Sequence, residues 1–290
     1  MTNTALHRIT VDFVSCDRQT LPDLLGRALH AQVMQWLQVG NPELARQVHD
    51  ANLTPFSLSP LRTRSPRLRS GDRVHLTIGI LQGDVLQPLF AGLCAGEQQV
   101  CSWANLTFKV ERVNAIPGSD PRVQASSYEA LAAQDTLGTD VELRFHSPMS
   151  FKQKQGIQMF PLPELVFDGL RRRWNHFAPE DLQIPELDWS GWVAAYDLKS
   201  QAWKGQGGVE IGSVGWVRYR FGDPYIRDYA SMLARFAEFA GVGRKTAQGF
   251  GYTELVLKRS RGASGKKPRP KLRPKQRQLD EFDVGRKTDG

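Results

Sequence analysis

The sequence has few cysteines and no long apolar run. Its three cysteines (Cys16, Cys94 and Cys101) form no CxxC pair, and their odd number argues against a framework of disulfide bonds. No segment approaches the roughly 20 consecutive apolar residues that a transmembrane helix needs. Residues 1–7 lack the basic and apolar blocks of a secretory signal. We therefore expect a cytoplasmic protein that does not associate with membranes.

Familiar metal-binding patterns are also missing. The sequence has no HExxH motif, no close cluster of Cys and His, and no tight Asp/Glu cluster at a predicted strand end. We therefore expect neither a metal site nor any other cofactor. If the protein cuts nucleic acid, metal-independent chemistry is favoured.

Positive charge is concentrated at the C-terminus. The formal net charge is +8, and residues 259–290 contain 11 Lys/Arg and 4 Asp/Glu, whereas the first 258 residues contain 27 and 26. This Lys/Arg/Pro-rich tail has no hydrophobic periodicity, which predicts disorder and a salt-sensitive, sequence-independent affinity for nucleic acid. A polyanion site elsewhere in the chain must be a local patch.

The most distinctive segment is the glycine-rich loop Gly241–Gly251, with the sequence GVGRKTAQGFG. Asp223-Pro224 and a stripe of apolar residues predict a helix before this glycine loop. Aromatic and branched residues at 250–257 predict a strand after it. The order helix–loop–strand is the reverse of the dinucleotide and P-loop patterns, so neither of those sites is predicted.

The glycine loop nevertheless suits a phosphate-containing ligand. Glycines allow the backbone to approach a bulky ligand, and several side chains of the loop suit phosphate oxygens, namely Arg244, Lys245, Thr246 and Gln248. The alternative interpretation of the same residues is a basic turn exposed to solvent.

Hydrophobic periodicity predicts strands and helices on both sides of residues 117–140. The first half is predicted as β-α-(α)-β-α-β, with strands at 9–13, 74–80 and 106–116 and helices at 21–39, 41–50 and 84–95. The second half is predicted as β-α-β-β-α-β, with strands at 141–145, 192–198, 209–221 and 250–257 and helices at 163–177 and 224–240. The first half is thus one strand short of the second.

A glycine loop with the pattern GxGxxxxxGFG, between a last helix and a last strand, resembles the RAMP superfamily of CRISPR proteins. The neighbouring segments resemble its CRISPR repeat-processing endoribonuclease family. This resemblance implies an α+β fold of two tandem ferredoxin-like (RRM-like) domains with a disordered basic C-terminal tail. The expected boundaries are 1–117 for the first domain, 118–139 for the connection, 140–258 for the second domain and 259–290 for the tail.

The resemblance also implies an activity. The expected protein binds CRISPR repeat RNA and cleaves precursor CRISPR RNA once in each repeat. Metal-independent cleavage of RNA uses the 2′-hydroxyl as nucleophile, with a base that removes its proton and an acid that protonates the 5′-oxygen. The products are a 2′,3′-cyclic phosphate and a 5′-hydroxyl, and DNA is not a substrate because it lacks the nucleophile.

Two histidines are the expected proton carriers. His30 lies in LHA and His49 in LARQVHD, shortly before PFSLSPL. This pattern is similar to the N-terminal region of the repeat-processing family, in which a histidine before PF-S-L commonly belongs to the active site. The resemblance therefore implies that His49 is the principal acid or base and that His30 is its partner or a residue that orients it. The alternative is that His49 simply caps carbonyls at a helix end.

Basic residues of the second half are the expected RNA contacts. Arg172 or Arg173 is expected to stabilise charge on the phosphorane, although an exposed run of charges or an arginine stem covering the sheet explains them equally well. RNA binding is expected at two groups of residues: Lys152, Lys154 and Arg171; and Gly241, Gly243, Arg244, Lys245, Gln248, Gly249 and Gly251 of the glycine loop. An ordinary exposed loop is the alternative for Lys152 and Lys154.

Two other functions fit the same fold. A non-catalytic RNA-binding RAMP subunit of a CRISPR effector complex would use the same glycine loop, with other effector subunits as its partners. An unrelated ferredoxin-like protein would bind nucleic acid only through its tail, and its binding would disappear when residues 259–290 are deleted. The histidine pair separates the first alternative from the nuclease, since a scaffold has no chemical need for it.

Overall fold

The computed structural model describes residues 4–23, 25–95, 100–154, 156–205 and 208–257. The tail 259–290, which we predict to be disordered, lies outside the described residues, as does Gln155. Within the described ranges, no helix is both long and apolar enough to cross a membrane.

The first half of the chain combines one large sheet with helices. Its elements in chain order are β1 (Ala5–Ser15), β2 (Gln19–Thr20), α1 (Gly26–Gly40), α2 (Pro42–Asp50), β3 (Phe56–Leu58), β4 (Arg67–Leu68), β5 (Arg73–Ile80), α3 (Leu86–Cys94), β6 (Val100–Trp103), β7 (Leu106–Asn114), β8 (Gln124–Ser127) and α4 (Tyr128–Ala132). Strands β2 and β4 form a small separate pair.

The second half has the same kind of construction. Its elements in chain order are β9 (Asp140–Met149), β10 (Phe151–Gln153), β11 (Gly156–Gln158), α5 (Pro163–Phe177), β12 (Gly191–Gly205), β13 (Gly208–Phe221), α6 (Pro224–Ala240) and β14 (Thr253–Leu255). A short 3-10 turn, Thr246–Gln248, lies in the glycine loop between α6 and β14.

Helix ends follow the local sequence. The Asn41 side chain caps α2 by accepting a hydrogen bond from the Leu44 N–H at 3.1 Å. Asp223 caps α6 in a similar way. Gly241 ends α6 with a φ of 68°, a conformation that favours glycine. These predicted helix boundaries are confirmed.

Both halves share one strand order. The first sheet contains the path β3-β5-β1-β7 and the second is β12-β13-β9-β14, with all neighbours antiparallel. Within each half, the strands that occupy these places are the second, third, first and fourth of a βαββαβ unit. The predicted α+β fold of two tandem ferredoxin-like domains is therefore confirmed.

The strand missing from the predicted first unit is β3. It has only three residues and lies in the PF-S-L segment, for which no strand is predicted. Among the described residues, two further strands of the first sheet have no predicted counterpart: β6 forms a hairpin with β7, and β8 pairs with β1. Strand β8 belongs to the connecting segment 118–139, so this segment contributes to the first sheet. The domain boundaries themselves stay predictions.

Several elements differ in extent or type from the predicted ones, among them α1, β14 and the segment that follows β9. Helix α1 begins at Gly26 rather than near Leu21, because the Leu21 N–H donates to the Pro66 carbonyl at 2.8 Å beside the β2–β4 pair. Strand β14 is shorter than the predicted 250–257, since residues 250 and 251 still belong to a turn. The segment from Phe151, for which no strand is predicted, forms a hairpin of β10 and β11.

Helices cover one face of each large sheet. In the first half, the rings of Phe13 and Trp36 stack across the boundary between sheet and helix with centroids 6.4 Å apart. In the second half, Trp174 of α5 meets Phe236 of α6 edge to face at 5.3 Å. All four side chains are almost completely buried. Burial of such large apolar surfaces is the main favourable contribution to folding.

The two halves also contact each other directly. The Ser57 hydroxyl donates to the Phe239 carbonyl near the end of α6, and a Cβ on Gly79 would lie 2.0 Å from that oxygen. From the connecting segment, Tyr128 is buried in the second core and donates to the Leu81 carbonyl at 2.9 Å. The end of α6 is thereby fixed against strands β3 and β5.

Substitution of Gly92 tests the close packing of α3 on α1. A Cβ at this position would lie 1.8 Å from the Trp36 carbonyl oxygen, so Gly92→Ala should lower the free energy of unfolding by about 2 kcal/mol or more. Gly169, inside α5, is the matched control because an added Cβ meets no atom within 4 Å. Gly169→Ala should raise the free energy of unfolding by about 0.5–1 kcal/mol. Urea unfolding of both variants measures the difference, and equal effects would contradict this packing.

Candidate functional site

The glycine loop is built from left-handed backbone conformations. Positive φ angles occur at Gly241 (68°), Gly243 (85°), Lys245 (57°), Gly249 (82°) and Gly251 (60°). A Cβ on Gly251 would lie 1.8 Å from the Val242 carbonyl oxygen, and one on Gly243 would lie 2.5 Å from the Ser150 oxygen. The glycines are thus required by close packing against the protein's own backbone. Their predicted contact with RNA stays a prediction.

Glu210, near the start of β13, binds both cations of the glycine loop. Arg244 Nη1 lies 3.1 Å from Glu210 Oε2, and Lys245 Nζ donates to Glu210 Oε1. Burial disfavours the carboxylate, but the hydrogen bond from Lys245 and the two positive charges outweigh it, so the pKa of Glu210 is lowered. Glu210 therefore neutralises part of the positive charge that the sequence assigns to this loop.

His30 connects α1 to the glycine loop. Its Nδ1 lies 3.1 Å from the carbonyl oxygen of Ala247, in the 3-10 turn. Because a carbonyl oxygen only accepts hydrogen bonds, Nδ1 carries the proton in the neutral ring and Nε2 keeps a lone pair. The two elements approach closely nearby, since a Cβ on Gly26 would lie 2.0 Å from the Gln248 carbonyl oxygen.

Burial sets the protonation of His30. It lowers the pKa of the ring below the usual 6.5, and the positive charge of His49 lowers it further, whereas the hydrogen bond to Ala247 acts in the opposite direction. The ring of His30 is therefore neutral at pH 7. The effect of His49 also means that the two predicted catalytic histidines lie within electrostatic range of each other.

His49 lies at the end of α2 with 79% of its side chain exposed. Its Nδ1 is 3.1 Å from Oδ1 of Asp50. This described hydrogen bond goes to a carboxylate, whereas a helix cap would bond to a carbonyl. The ring borders an open groove between α1 and α2, which is lined by Ala31, Met34, Gln35, Gln38, Pro42, Glu43, Ala45 and Arg46.

Arg173 holds the glycine loop to the first half. Its Nη1 donates to the Ala240 carbonyl and the Thr246 hydroxyl, while Nη2 donates to the carbonyls of Phe56 at 3.2 Å and Thr54 at 3.5 Å. Burial lowers its pKa to about 10, so it remains charged at pH 7. Both terminal nitrogens are bonded to protein oxygens. These contacts give the guanidinium of Arg173 a structural role, and its predicted role in stabilising charge on the phosphorane stays a prediction.

Arg171 and Arg172 share one carboxylate. Arg171 Nη2 lies 2.8 Å from Asp168 Oδ1, and Arg172 Nη1 lies 2.5 Å from Asp168 Oδ2. Arg172 is mostly exposed, and no described contact joins it to His30 or His49. The three consecutive arginines therefore point to different surroundings, as helical spacing requires. The roles predicted for Arg171 and Arg172 stay predictions.

Lys152 and Lys154 lie on the β10–β11 hairpin beside the glycine loop. Both residues are exposed, and Lys154 has a φ of 39° in the turn of this hairpin. The hairpin follows Ser150 directly, and the Ser150 carbonyl accepts a hydrogen bond from the Arg244 N–H at 2.9 Å. The structure thus brings the two predicted groups of basic RNA contacts to one region.

Sequence reasoning misses three groups that position this site. The Ala247 carbonyl, the Thr246 hydroxyl and the Glu210 carboxylate orient His30, Arg173 and the two loop cations respectively. A main-chain carbonyl has no side-chain signature that sequence could reveal. Glu210 gives one signal in the sequence, since it is an acidic residue near the start of the predicted strand 209–221 and its neighbours are mostly apolar.

Comparisons with known proteins identify relatives of this structure. Residues 143–253 match the family described as CRISPR-associated endoribonuclease Cas6, whereas no curated protein gives a significant match. A Thermus thermophilus Cas6 in its product complex superposes with a TM-score of 0.72 and 23% identity, covering 87% of this chain and 100% of that one. The predicted resemblance to the repeat-processing family is thereby confirmed.

Two further solved structures extend this similarity. A second Cas6 in its product complex has a TM-score of 0.72 and 25% identity, covering 87% of this chain and 99% of that one. A RAMP protein described as binding different RNA substrates has a TM-score of 0.59 and 20% identity, covering 86% and 99%. The shared fold thus extends over both ferredoxin-like halves.

Substitution of Arg173 tests its structural role, and the adjacent Arg172 provides the control. Arg173→Ala leaves up to four buried oxygen acceptors unpaired and should lower the free energy of unfolding by about 2–4 kcal/mol. Arg172→Ala removes only an exposed pair with Asp168 and should cost less than about 0.5 kcal/mol. Chemical denaturation followed by tryptophan fluorescence measures both values. A stable Arg173→Ala variant would refute the proposed contacts.

Proposed function

We propose, from the Cas6 signature of residues 143–253 and the fold shared with Cas6 product complexes, that this chain is a CRISPR repeat-processing endoribonuclease. Its substrate is precursor CRISPR RNA, which it cuts within each repeat. The reaction is metal-independent attack by the 2′-hydroxyl, giving a 2′,3′-cyclic phosphate and a 5′-hydroxyl. The observation that carries this proposal is the hydrogen bond between His30 and Ala247, which joins a predicted catalytic histidine to the glycine loop.

His30 is the general base in this mechanism. The Ala247 carbonyl fixes the tautomer with the proton on Nδ1, so the lone pair of Nε2 is available to remove the proton of the 2′-hydroxyl. Burial favours the neutral ring that a base requires. The glycine loop thereby acts on the chemistry through its backbone, in addition to the RNA contacts that we assign to it.

His49 is the general acid. Its exposed ring allows access of the leaving 5′-oxygen, and the bond of Nδ1 to Asp50 leaves Nε2 to deliver the proton. After the transfer, His30 has gained one proton and His49 has lost one, so the total number of protons on the two rings is unchanged. The positive charge of His49 lowers the pKa of His30, so the two rings interact electrostatically.

We favour a cation other than Arg173 for stabilising charge on the phosphorane, because both terminal nitrogens of Arg173 are bonded to protein oxygens. We assign this role to Arg244 or Lys245, because both belong to the loop whose Ala247 carbonyl orients His30. Glu210 holds these side chains in place before RNA binds. Arg172 is the remaining candidate among the predicted residues, since its guanidinium is mostly exposed. Arg171 belongs with the RNA contacts.

RNA binding uses the region around the glycine loop. We assign RNA contacts to Lys152 and Lys154 on the adjacent hairpin and to the glycine loop, in which Gly243 is exposed and Arg244, Lys245 and Gln248 are half-buried. Gly241, Gly249 and Gly251 are buried, so their predicted contact with RNA requires approach to the backbone of the loop. Lysines on a hairpin can follow a phosphate backbone, while base edges exposed in a repeat loop provide specificity. Binding should therefore weaken with salt.

Cleavage of a labelled repeat RNA in EDTA tests the reaction. His30→Ala and His49→Ala should each slow cleavage about 100-fold or more, because each removes a proton-transfer group. The exposed helical histidine His176 is the matched control, and His176→Ala should cut at the wild-type rate. A substrate with a 2′-deoxy nucleotide at the scissile position should bind but remain uncut.

The outcomes separate the candidate functions. Tight repeat binding without any cut would favour the non-catalytic RAMP subunit, a function suggested by the RNA-binding RAMP protein of the same fold. Cleavage that survives both histidine substitutions would retain the nuclease and reject the assigned residues. Cleavage abolished by EDTA would reject the metal-independent mechanism.

The pH dependence of cleavage tests which histidine is the base. A base must be unprotonated, so kcat/KM falls as pH falls through its pKa. Because the pKa of His30 is lowered below 6.5, the acidic limb of the profile should have its midpoint below 6.5. Single-turnover cleavage rates measured from pH 4.5 to 9 give this midpoint for the free enzyme. A midpoint above 6.5 would exclude His30 as the base.

A further inference from the structure

The groove between α1 and α2 begins beside the two proposed catalytic histidines. Ala31, which directly follows His30, lies at this end together with His49, whereas Gln38 and Pro42 lie near the connection between the helices. The groove has a volume of about 650 Å³, which is within the range of sites for small organic groups. It therefore forms a continuous surface that leads away from the histidine pair.

The residues that line the groove favour a flat, uncharged group. Met34 is half-buried and provides an apolar, polarisable floor, whereas Gln35 is exposed at the rim. The charged lining residues besides His49 are Glu43 and Arg46, and the Arg46 guanidinium donates to the Glu43 carboxylate. Because the charges of this pair cancel, the groove suits a nucleobase better than a phosphate.

Gln35 is held at the rim by a chain of hydrogen bonds. The buried Trp103 donates through Nε1 to Oε1 of Gln32 at 3.2 Å, and Nε2 of Gln32 donates to Oε1 of Gln35 at 3.2 Å. The carbonyl of the Gln35 side chain thereby faces Gln32, which leaves the N–H donors of Gln35 for a ligand. Such donors suit the ring nitrogens and carbonyl oxygens at the edge of a base.

The role proposed for His49 fixes which nucleotide lies beside the groove. His49 protonates the leaving 5′-oxygen, and this oxygen belongs to the nucleotide downstream of the cut. Proton transfer requires contact at hydrogen-bond distance, so the ribose of that nucleotide lies against the His49 ring. Asp50 occupies the Nδ1 side of the ring, and the groove borders the same ring. The downstream base is therefore brought to the entrance of the groove.

We propose that the groove between α1 and α2 binds the base of the nucleotide immediately downstream of the scissile phosphate. This inference rests on the proposed function and on His49 as its general acid. Met34 packs against the base, and Gln35 donates to its edge. Attack by the 2′-hydroxyl needs the 2′-oxygen, the phosphorus and the 5′-oxygen in line, and a base held outside the RNA stack permits this alignment. The groove thus helps to select which bond of the repeat is cut.

Modified RNAs test this site once the cut has been mapped with the wild-type chain, and the absence of any cut would count against the proposed function itself. The probe is the repeat RNA made uncleavable by a 2′-deoxy nucleotide before the cut. An abasic residue directly after the cut should weaken binding about tenfold, measured by fluorescence anisotropy. An abasic residue several positions further downstream should change binding less than about twofold. Equal losses at both positions, or no loss at the first, would overturn the proposal.

A variant that fills the groove provides the second test. Gln35→Trp should abolish the difference in binding between the intact and the abasic RNA, and should lower kcat/KM for cleavage about tenfold. It should bind the product RNA that ends at the cut as tightly as the wild-type chain does, because this RNA has no downstream base. Val39→Trp, at an exposed position of α1 outside the lining of the groove, is the control and should match the wild-type chain. A Gln35→Trp variant that still distinguishes the two RNAs would contradict the assignment.

Discussion

The guanidinium of Arg173 is the contact on which the arrangement of the site depends. It is a buried charge whose described partners are carbonyls and one hydroxyl from the end of α6, the segment before β3 and the 3-10 turn. Burying an arginine is unfavourable unless its donors are satisfied. Here the fork of a single side chain satisfies acceptors from distant parts of the sequence, so movement of any of these segments would leave a charge or a carbonyl unpaired. Rigidity of the glycine loop follows from this coupling.

The 3-10 turn makes both a structural contact and a contact to a proposed catalytic side chain. Thr246 accepts a hydrogen bond from Arg173, and the next residue, Ala247, accepts one from His30. A structural contact and a contact to a proposed catalytic group are thus adjacent in the backbone. On the other side of the loop, Glu210 restrains the cations of Arg244 and Lys245. The loop is therefore organised in the free protein, and binding of the proposed RNA need not supply the free energy for ordering it.

Sequence patterns predict the regular elements well and the site only in part. Caps such as Asn41 and Asp223 act within one helical turn, so their effect is local and can be predicted. Strand β3 escapes prediction because three residues carry no measurable alternation. The identity of His30 as a candidate came from family resemblance, but its orientation depends on a carbonyl 217 residues away. In the sequence, Arg173 likewise looks like one of three exposed charges, because its hydrogen-bond acceptors belong to distant parts of the chain.

The distance in sequence between His30 and its carbonyl partner has a consequence for biosynthesis. Helix α1 emerges early from the ribosome, whereas Ala247 follows 217 residues later. The N-terminal elements can collapse around their own core during synthesis, since domains generally fold as the chain emerges. The tautomer of His30 is fixed only when the glycine loop has been made and has closed onto α1. A nascent chain therefore carries both histidines long before it carries an organised site, and the orienting contact is added only after Ala247 has been synthesised.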